Sequence, residues 1–356
     1  MATSNESRPK SFTDLNDDCI LLIIDAAAKL PRQTGTQPQN VKTLSLTSKR
    51  LRRLCEPTLL KFPDGKLTLQ NVRQPEKETF NALSRATFVL SSLEALDVNL
   101  YPNPSNNTSH GDDVFTGFVA AITSMPQLSQ LKMDFNNSHA AMNQLRREFL
   151  SVDANLPTID VLHLQKARNS DFILKACPQL KTLVVEHCTI QWQDTFAALS
   201  SVVTLRQLEI NAWSLWRLET FREMMPYIKD VPELCIKGEH RRGPLSALAT
   251  EFRNLPKLKS LAITSALWEG SAIRPPPRGY LLRMPPQRSL HTSEQSDAAN
   301  AFFATCPGLK SFHTFCRTSV QTYERNRDGK AEQIDTEEDR GSWGGFPTKF
   351  NQRLTR

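Results

Sequence analysis

The side chains in this sequence best suited to chemistry are His187 beside Cys188, and the separate histidines His163 and His313. A structural metal site draws four converging ligands, and neighbours on an extended segment point to opposite sides of it. His187 and Cys188 therefore make a poor pair, and no second pair with ligand spacing accompanies them. The seven cysteines, Cys19, Cys55, Cys177, Cys188, Cys235, Cys306 and Cys316, are odd in number and contain no C-x-x-C pair. They read as reduced thiols rather than a disulfide framework or zinc module. The sequence has no glycine-rich phosphate loop, no G-x-S-x-G elbow and no H-E-x-x-H helix. No catalytic residue, cofactor or metal is expected, so function has to come from surfaces.

What positions those surfaces is a repeat. The spacing L-x-x-L-x-L recurs as Leu93/Leu96/Val98, Leu128/Leu131/Met133, Ile159/Leu162/Leu164 and Leu180/Leu183/Val185. It continues as Leu205/Leu208/Ile210, Val231/Leu234/Ile236, Leu258/Leu261/Ile263 and a weaker Leu309/Phe312. Up to Leu258 the starts lie 21 to 35 residues apart, and Pro126, Pro157, Pro178, Pro256 and Pro307 stand two residues ahead of five of them. Such a proline ends a helix and releases the chain into a strand. Helix-like stretches lie between, at 114–124, 142–150, 195–200, 218–225, 245–255 and 298–305. The expected fold class is α/β: parallel strands on the concave face of a solenoid, with helices on its convex face. Within it, the unit at Leu180 completes the full leucine-rich form, with Cys188 and Ile190 in its last slots.

The apolar residues of that pattern are core. Binding falls to the side chains between them, which strand alternation turns to the open face. Lys132, Asp134, His163, Val184, Glu186, Glu209, Glu233, Lys237 and His313 are the candidate substrate contacts, a mixed set that leans acidic. The net charge of +7 sits elsewhere: on a basic N-terminal helix, at Arg241 and Arg242, and in a proline- and arginine-rich insertion at about 270–290. An acidic open face does not suit a phosphate backbone, so nucleic acid is not the expected partner. Trp192, Trp213, Trp216 and Trp268 fall in the connections after strands.

The N-terminal part reads as helical. Asp17 to Leu30 is a helix candidate behind the capping group Asp14, Asn16, Asp17 and Asp18. Its run Cys19 to Ile24 is apolar on more than one side and calls for a partner beyond its own core. A polar loop at 31–39 leads to a second helix from Val41 to about Cys55, stopped by Pro57. The segment from Phe12 through Leu15 and Asn16 to Ile20, followed by Leu44-Ser-Leu46-Thr-Ser-Lys49-Arg50-Leu51, resembles an F-box. Asn16 stands where that family usually has proline, and the loop is longer than typical.

That resemblance implies a non-catalytic subunit of an SCF-type cullin-RING ubiquitin ligase. Phe12, Leu15, Asn16, Ile20, Leu21, Ile24, Leu44, Leu46, Lys49 and Arg50 would meet the Skp adaptor, and through it the cullin and RING subunits. The repeats are similar to the leucine-rich repeats that commonly follow an F-box, and would hold a protein substrate. The expected organisation is a flexible start at 1–11, the helical module at 12–62, the solenoid at 63–317 and a polar, flexible tail at 318–356. A repeat scaffold with no ligase link is the competing reading, in which the first helices only cap the array. The first eleven residues lack the features of a secretory signal, and the longest apolar run, at 19–28, is far short of the roughly 20 residues that span a bilayer. The cytoplasm or nucleus is the expected location, with no membrane partner.

Overall fold

The structure is a computed structural model that describes residues 15–28, 39–60, 66–69, 91, 93–100, 112–135, 138–167, 169–186, 193–211, 218–238, 245–264, 292–315 and 319–338. The repeated apolar triplet becomes a repeated turn and strand. Its first residue donates its backbone N–H to the carbonyl three residues back at Leu128, Ile159, Leu180, Leu205, Val231, Leu258 and Leu309. Each of the five prolines falls at the second position of such a turn, where its fixed φ is the one the turn requires. Proline therefore shapes the turn as well as ending the helix before it.

The residues entering each strand then tie to the previous unit. Lys181 and Thr182 both donate to the carbonyl of Asp160, Arg206 and Gln207 to that of Lys181, and Lys310 and Ser311 to that of Lys259. This shared acceptor sets the register. Strands β1 (Lys66–Leu69), β2 (Ala95–Asn99), β3 (Gln130–Asp134), β4 (Val161–Gln165) and β5 (Thr182–Glu186) pair in parallel and in sequence order. So do β6 (Gln207–Asn211), β7 (Glu233–Lys237), β8 (Ser260–Thr264) and β9 (Ser311–Phe315). Then β10 (Ser319–Arg325) and β11 (Ala331–Glu338) close the order as an antiparallel hairpin. The sheet is open, with β1 and β11 at its two edges. Mixed α/β architecture with a mostly parallel sheet is thus as expected.

In-register pairing lines Leu96, Leu131, Leu162, Leu183, Leu208, Leu234, Leu261 and Phe312 into one row across the sheet. Helices cover that face. They are α4 (Asp112–Thr123), α5 (His139–Ser151), α6 (Asp171–Ala176), α7 (Gln193–Leu199), α8 (Leu218–Met224), a 3-10 helix at Leu245–Asn254, and α9 (Thr292–Thr305). Phe118, Leu145, Phe172, Phe196 and Phe221 from the helices share a single core with the leucine row. Towards the C-terminal end the core becomes an aromatic spine. Ring centroids lie 6.0 Å apart for Phe221–Phe252, 5.3 Å for Phe252–Phe302, 4.8 Å for Phe302–Phe312 and 6.4 Å for Phe312–Tyr323.

Several features depart from expectation. Strand β1 and helix α6 were not expected; Phe172, Ile173, Leu174 and Ala176 of α6 are all buried, so it shows no amphipathic stripe. The polar segment from 318, expected as a flexible tail, contains the β10–β11 hairpin. Three contacts order it. Tyr323 is buried in the main core, the Arg325 guanidinium donates to the carbonyls of Phe303 and Cys306, and the Ala331 N–H donates to Asn300 Oδ1 at 2.8 Å. The second N-terminal helix is two, α2 (Gln39–Ser45) and α3 (Lys49–Leu60), because Ser48 accepts the Leu51 N–H and starts a new helix. Pro57 lies inside α3, which ends at Leu60, rather than stopping it. Phe12, the stretches 1–11 and 31–38, His187, Cys188, Ile190, the four tryptophans, Arg241, Arg242, the 270–290 insertion and residues 339–356 lie outside the described residues.

Phe302 is the middle of the spine and fully buried. Phe302→Ala is expected to lower the unfolding free energy by about 3–5 kcal/mol, the range for truncating a buried phenylalanine, with urea denaturation as the measurement. A loss below about 1 kcal/mol would show that the spine adds nothing to cohesion between units.

Candidate functional site

Two surfaces emerge: the face of the sheet that the helices leave open, and the outside of the N-terminal helices. On the open face, pairing aligns Asp97, Lys132, His163, Val184, Glu209, Cys235, Ala262 and His313 in one row. The next row runs Asn99, Asp134, Gln165, Glu186 and Asn211, with Lys237 opposite Asn211. Adjacent strands lie about 4.8 Å apart, close enough for charged side chains to reach across.

They do so in sequence. Lys132 Nζ stands 3.3 Å from Asp97 Oδ2, Lys166 Nζ 3.3 Å from Asp134 Oδ2, and Lys237 Nζ 2.5 Å from Glu209 Oε1. His163 Nε2 faces Glu186 Oε2 at 3.1 Å, off the line of a hydrogen bond. Asp134, Val184, Glu186 and Glu209 are buried. Lys166 and Lys237 thus take up the Asp134 and Glu209 carboxylates, and the His163 ring lies against Glu186. Lys166, which sequence reasoning missed, lies just after β4 with φ of 53°. Its N–H continues the ladder to the Glu186 carbonyl.

Lys237 illustrates the electrostatics. Burial alone would pull its ammonium pKa down, but the charges of Glu209, Cys235 and Glu186 and the hydrogen bond to Glu209 outweigh that and raise it. The ammonium also lies 5.6 Å from the Phe315 ring centre, beside an apolar cluster of Cys235, Ala262, Phe315 and Val320 on the open face. His313 is held between Ser260 Oγ at 3.4 Å and Thr322 Oγ1 at 3.0 Å, and burial lowers its pKa below 6.5. Burial pushes the Cys177 thiol up to about 12 and the Cys306 thiol, against the opposing pull of Arg325, to about 11. Both thiols stay protonated near neutrality, where only a thiolate is a good nucleophile. Of the candidate substrate contacts, Glu233 is exposed, and Lys132, His163, Lys237 and His313 are partly so. Glu233 accepts a hydrogen bond from the Gln207 amide. Among the described residues no three metal-binding side chains come together.

The N-terminal helices form a core of their own. Ile20 and Ile24 of α1 (Asp17–Ala28) pack with Val41, Leu51, Leu54 and Cys55, and Leu15 and Leu44 lie against them. Ile20 and Ile24 are buried in the core of this unit. Asn16 caps α1, accepting the Cys19 N–H on its side chain at 2.8 Å. Arg50 clamps α3 to the start of α1 by donating to Asp17 Oδ1 and to the Leu15 carbonyl at 2.7 Å. These contacts make Asn16 and Arg50 structural. Lys49 is exposed. Outside the core remain Leu21, Leu22 at 71% exposure, Ile23, and Leu46 at 68%, which lies in the turn between α2 and α3.

No protein-family model and no curated protein matches this sequence. No helix among the described residues is long and apolar enough to cross a membrane.

Lys237→Ala would strand the Glu209 carboxylate in a buried position. It is expected to cost about 3–5 kcal/mol in chemical denaturation, whereas joint Glu209→Gln and Lys237→Met replacement recovers most of that loss. Acid titration offers a second check. His313 has a folded pKa below its unfolded 6.5, so unfolding takes up a proton below that pH. Its contribution is complete above 6.5 and is lost as pH falls through the folded value. A His313→Gln variant should show a flatter decline of melting temperature below pH 6.5; an unchanged slope would mean that His313 does not titrate on unfolding.

Proposed function

We propose that the chain is a non-catalytic receptor: the substrate-recognition subunit of an SCF-type cullin-RING ubiquitin ligase. The F-box-like helices would dock on the Skp adaptor, and the strand array, read as a leucine-rich repeat solenoid, would hold a protein substrate. The observation that carries this reading is the exposure of Leu21, Leu22, Ile23 and Leu46 on a small helical unit whose own core is already complete. A cap that served only to shield the array has no use for leucines turned to water. Burying such side chains against a partner is worth about 1.5–3 kcal/mol each.

The sequential, one-sided strand order supports the solenoid part of the reading, since units that contact only their neighbours in the chain produce that order. In such a receptor the chain contributes no chemistry. It holds a substrate near the conjugating enzyme and raises the local concentration of the substrate's lysines.

The test is co-purification of the full chain with a Skp adaptor, comparing wild type with Leu22→Asp and Leu46→Asp. Each replaces an exposed side chain, so circular dichroism should be unchanged while adaptor affinity falls about tenfold or more. A folded wild-type chain that does not bind the adaptor would leave a repeat scaffold with no ligase role.

A further inference from the structure

We propose that the outer edge of β11 binds a cationic, extended polypeptide segment by strand addition. Strand β11 is last in the sheet order, and among the described residues no strand pairs with its outer side. That edge offers a row of backbone donors and acceptors to any extended chain.

The side chains say which chain. Pairing sets Glu332 directly opposite Glu324, and both are exposed. Like charges directly opposite on an antiparallel pair are about 5 Å apart and destabilise it. Neither carboxylate has an ion pair among the described residues. Asp335, also exposed and opposite Thr322, adds a third anion to the hairpin. Between them the register shifts, which leaves Ile334 without a direct partner and 51% exposed.

Charges and bulges commonly protect an edge from aggregation. Here they do so selectively. Antiparallel pairing of two β11 edges would bring carboxylates against carboxylates, so a second copy is disfavoured, while lysines or arginines on an incoming strand would relieve the Glu324–Glu332 repulsion. Ile334 adds an apolar contact for an intervening side chain. The occupant is therefore a basic extended segment of another protein. This names the class of substrate segment for the proposed receptor and rests on that reading only for its biological use.

The full chain would be titrated with three eight-residue peptides: one alternating lysine and valine, the same peptide N-methylated at alternate residues, and one alternating glutamate and valine. The lysine peptide is expected to bind, the glutamate peptide not, and N-methylation to weaken binding about tenfold or more by removing ladder donors. The Glu324→Gln, Glu332→Gln double variant should bind the lysine peptide about tenfold more weakly while melting at the same or a higher temperature, because the repulsion is gone. Failure of the lysine peptide to bind, equal binding of the methylated peptide, or unchanged affinity of the double variant would each overturn the proposal. So would dimerisation through β11, seen by sedimentation and lost in a Glu332→Lys variant. Adaptor co-purification is a separate measurement, so either idea can fail alone.

Discussion

The structure depends on a constraint repeated at each unit: a tight turn must hand the chain to its strand in register with the strand before. The turn closes on the first apolar residue of the unit, and a single carbonyl of the previous unit accepts the next two N–H groups, or Glu233 N–H alone where Pro232 follows Val231. Because side chains alternate along a strand, a slip of one residue would turn the leucine row outward and the charged row inward. Each junction thus decides at once which side chains form the core and which form the open face. Proline suits the second position of the turn, but it is not obligatory, since Val203 and Lys229 occupy it in two units.

That constraint explains how much could be read from the chain. The apolar spacing was legible because every unit repeats it, and strands β2 to β9 lie where it put them. Identities along the open face were legible too, by alternation. Burial there was not. Whether Asp134, Glu186 and Glu209 face a ligand or a neighbouring strand depends on the reach of Lys166, His163 and Lys237, and those residues belong to other units whose register the local sequence does not state. The hairpin escaped for the opposite reason: β11 is short of apolar residues and mostly exposed, so no periodicity marks it, and its order comes from Tyr323, Arg325 and Ala331 reaching the neighbouring unit.

On the helical module the run from Cys19 to Ile24 already held the essential fact, an excess of apolar side chains over what one face can bury. Its resolution needed the fold. Ile20 and Ile24, four residues apart, take the inner face, and the three residues between them are left outside. Asn16, which departs from the usual residue of the resembled family, serves as a helix cap, a role for which asparagine ranks among the best residues.

Energetic separation gives these surfaces their meaning. The helical unit and the strand array have distinct cores, one built on Ile20, Ile24 and Leu51, the other on the leucine row and the phenylalanine spine. Changes confined to exposed residues of one unit leave the other's packing intact, as expected for groups that share no partners. Within the array the charges follow a similar division. In the middle of the open face, Asp97, Asp134 and Glu209 each lie beside a lysine of the neighbouring unit, which ties that face together from strand to strand. At the hairpin the carboxylates face one another instead, and the destabilisation is left in place. Among the described residues no ion pair reaches Glu324 or Glu332, and the basic segment proposed for the β11 edge would bring the cation that this pair lacks there.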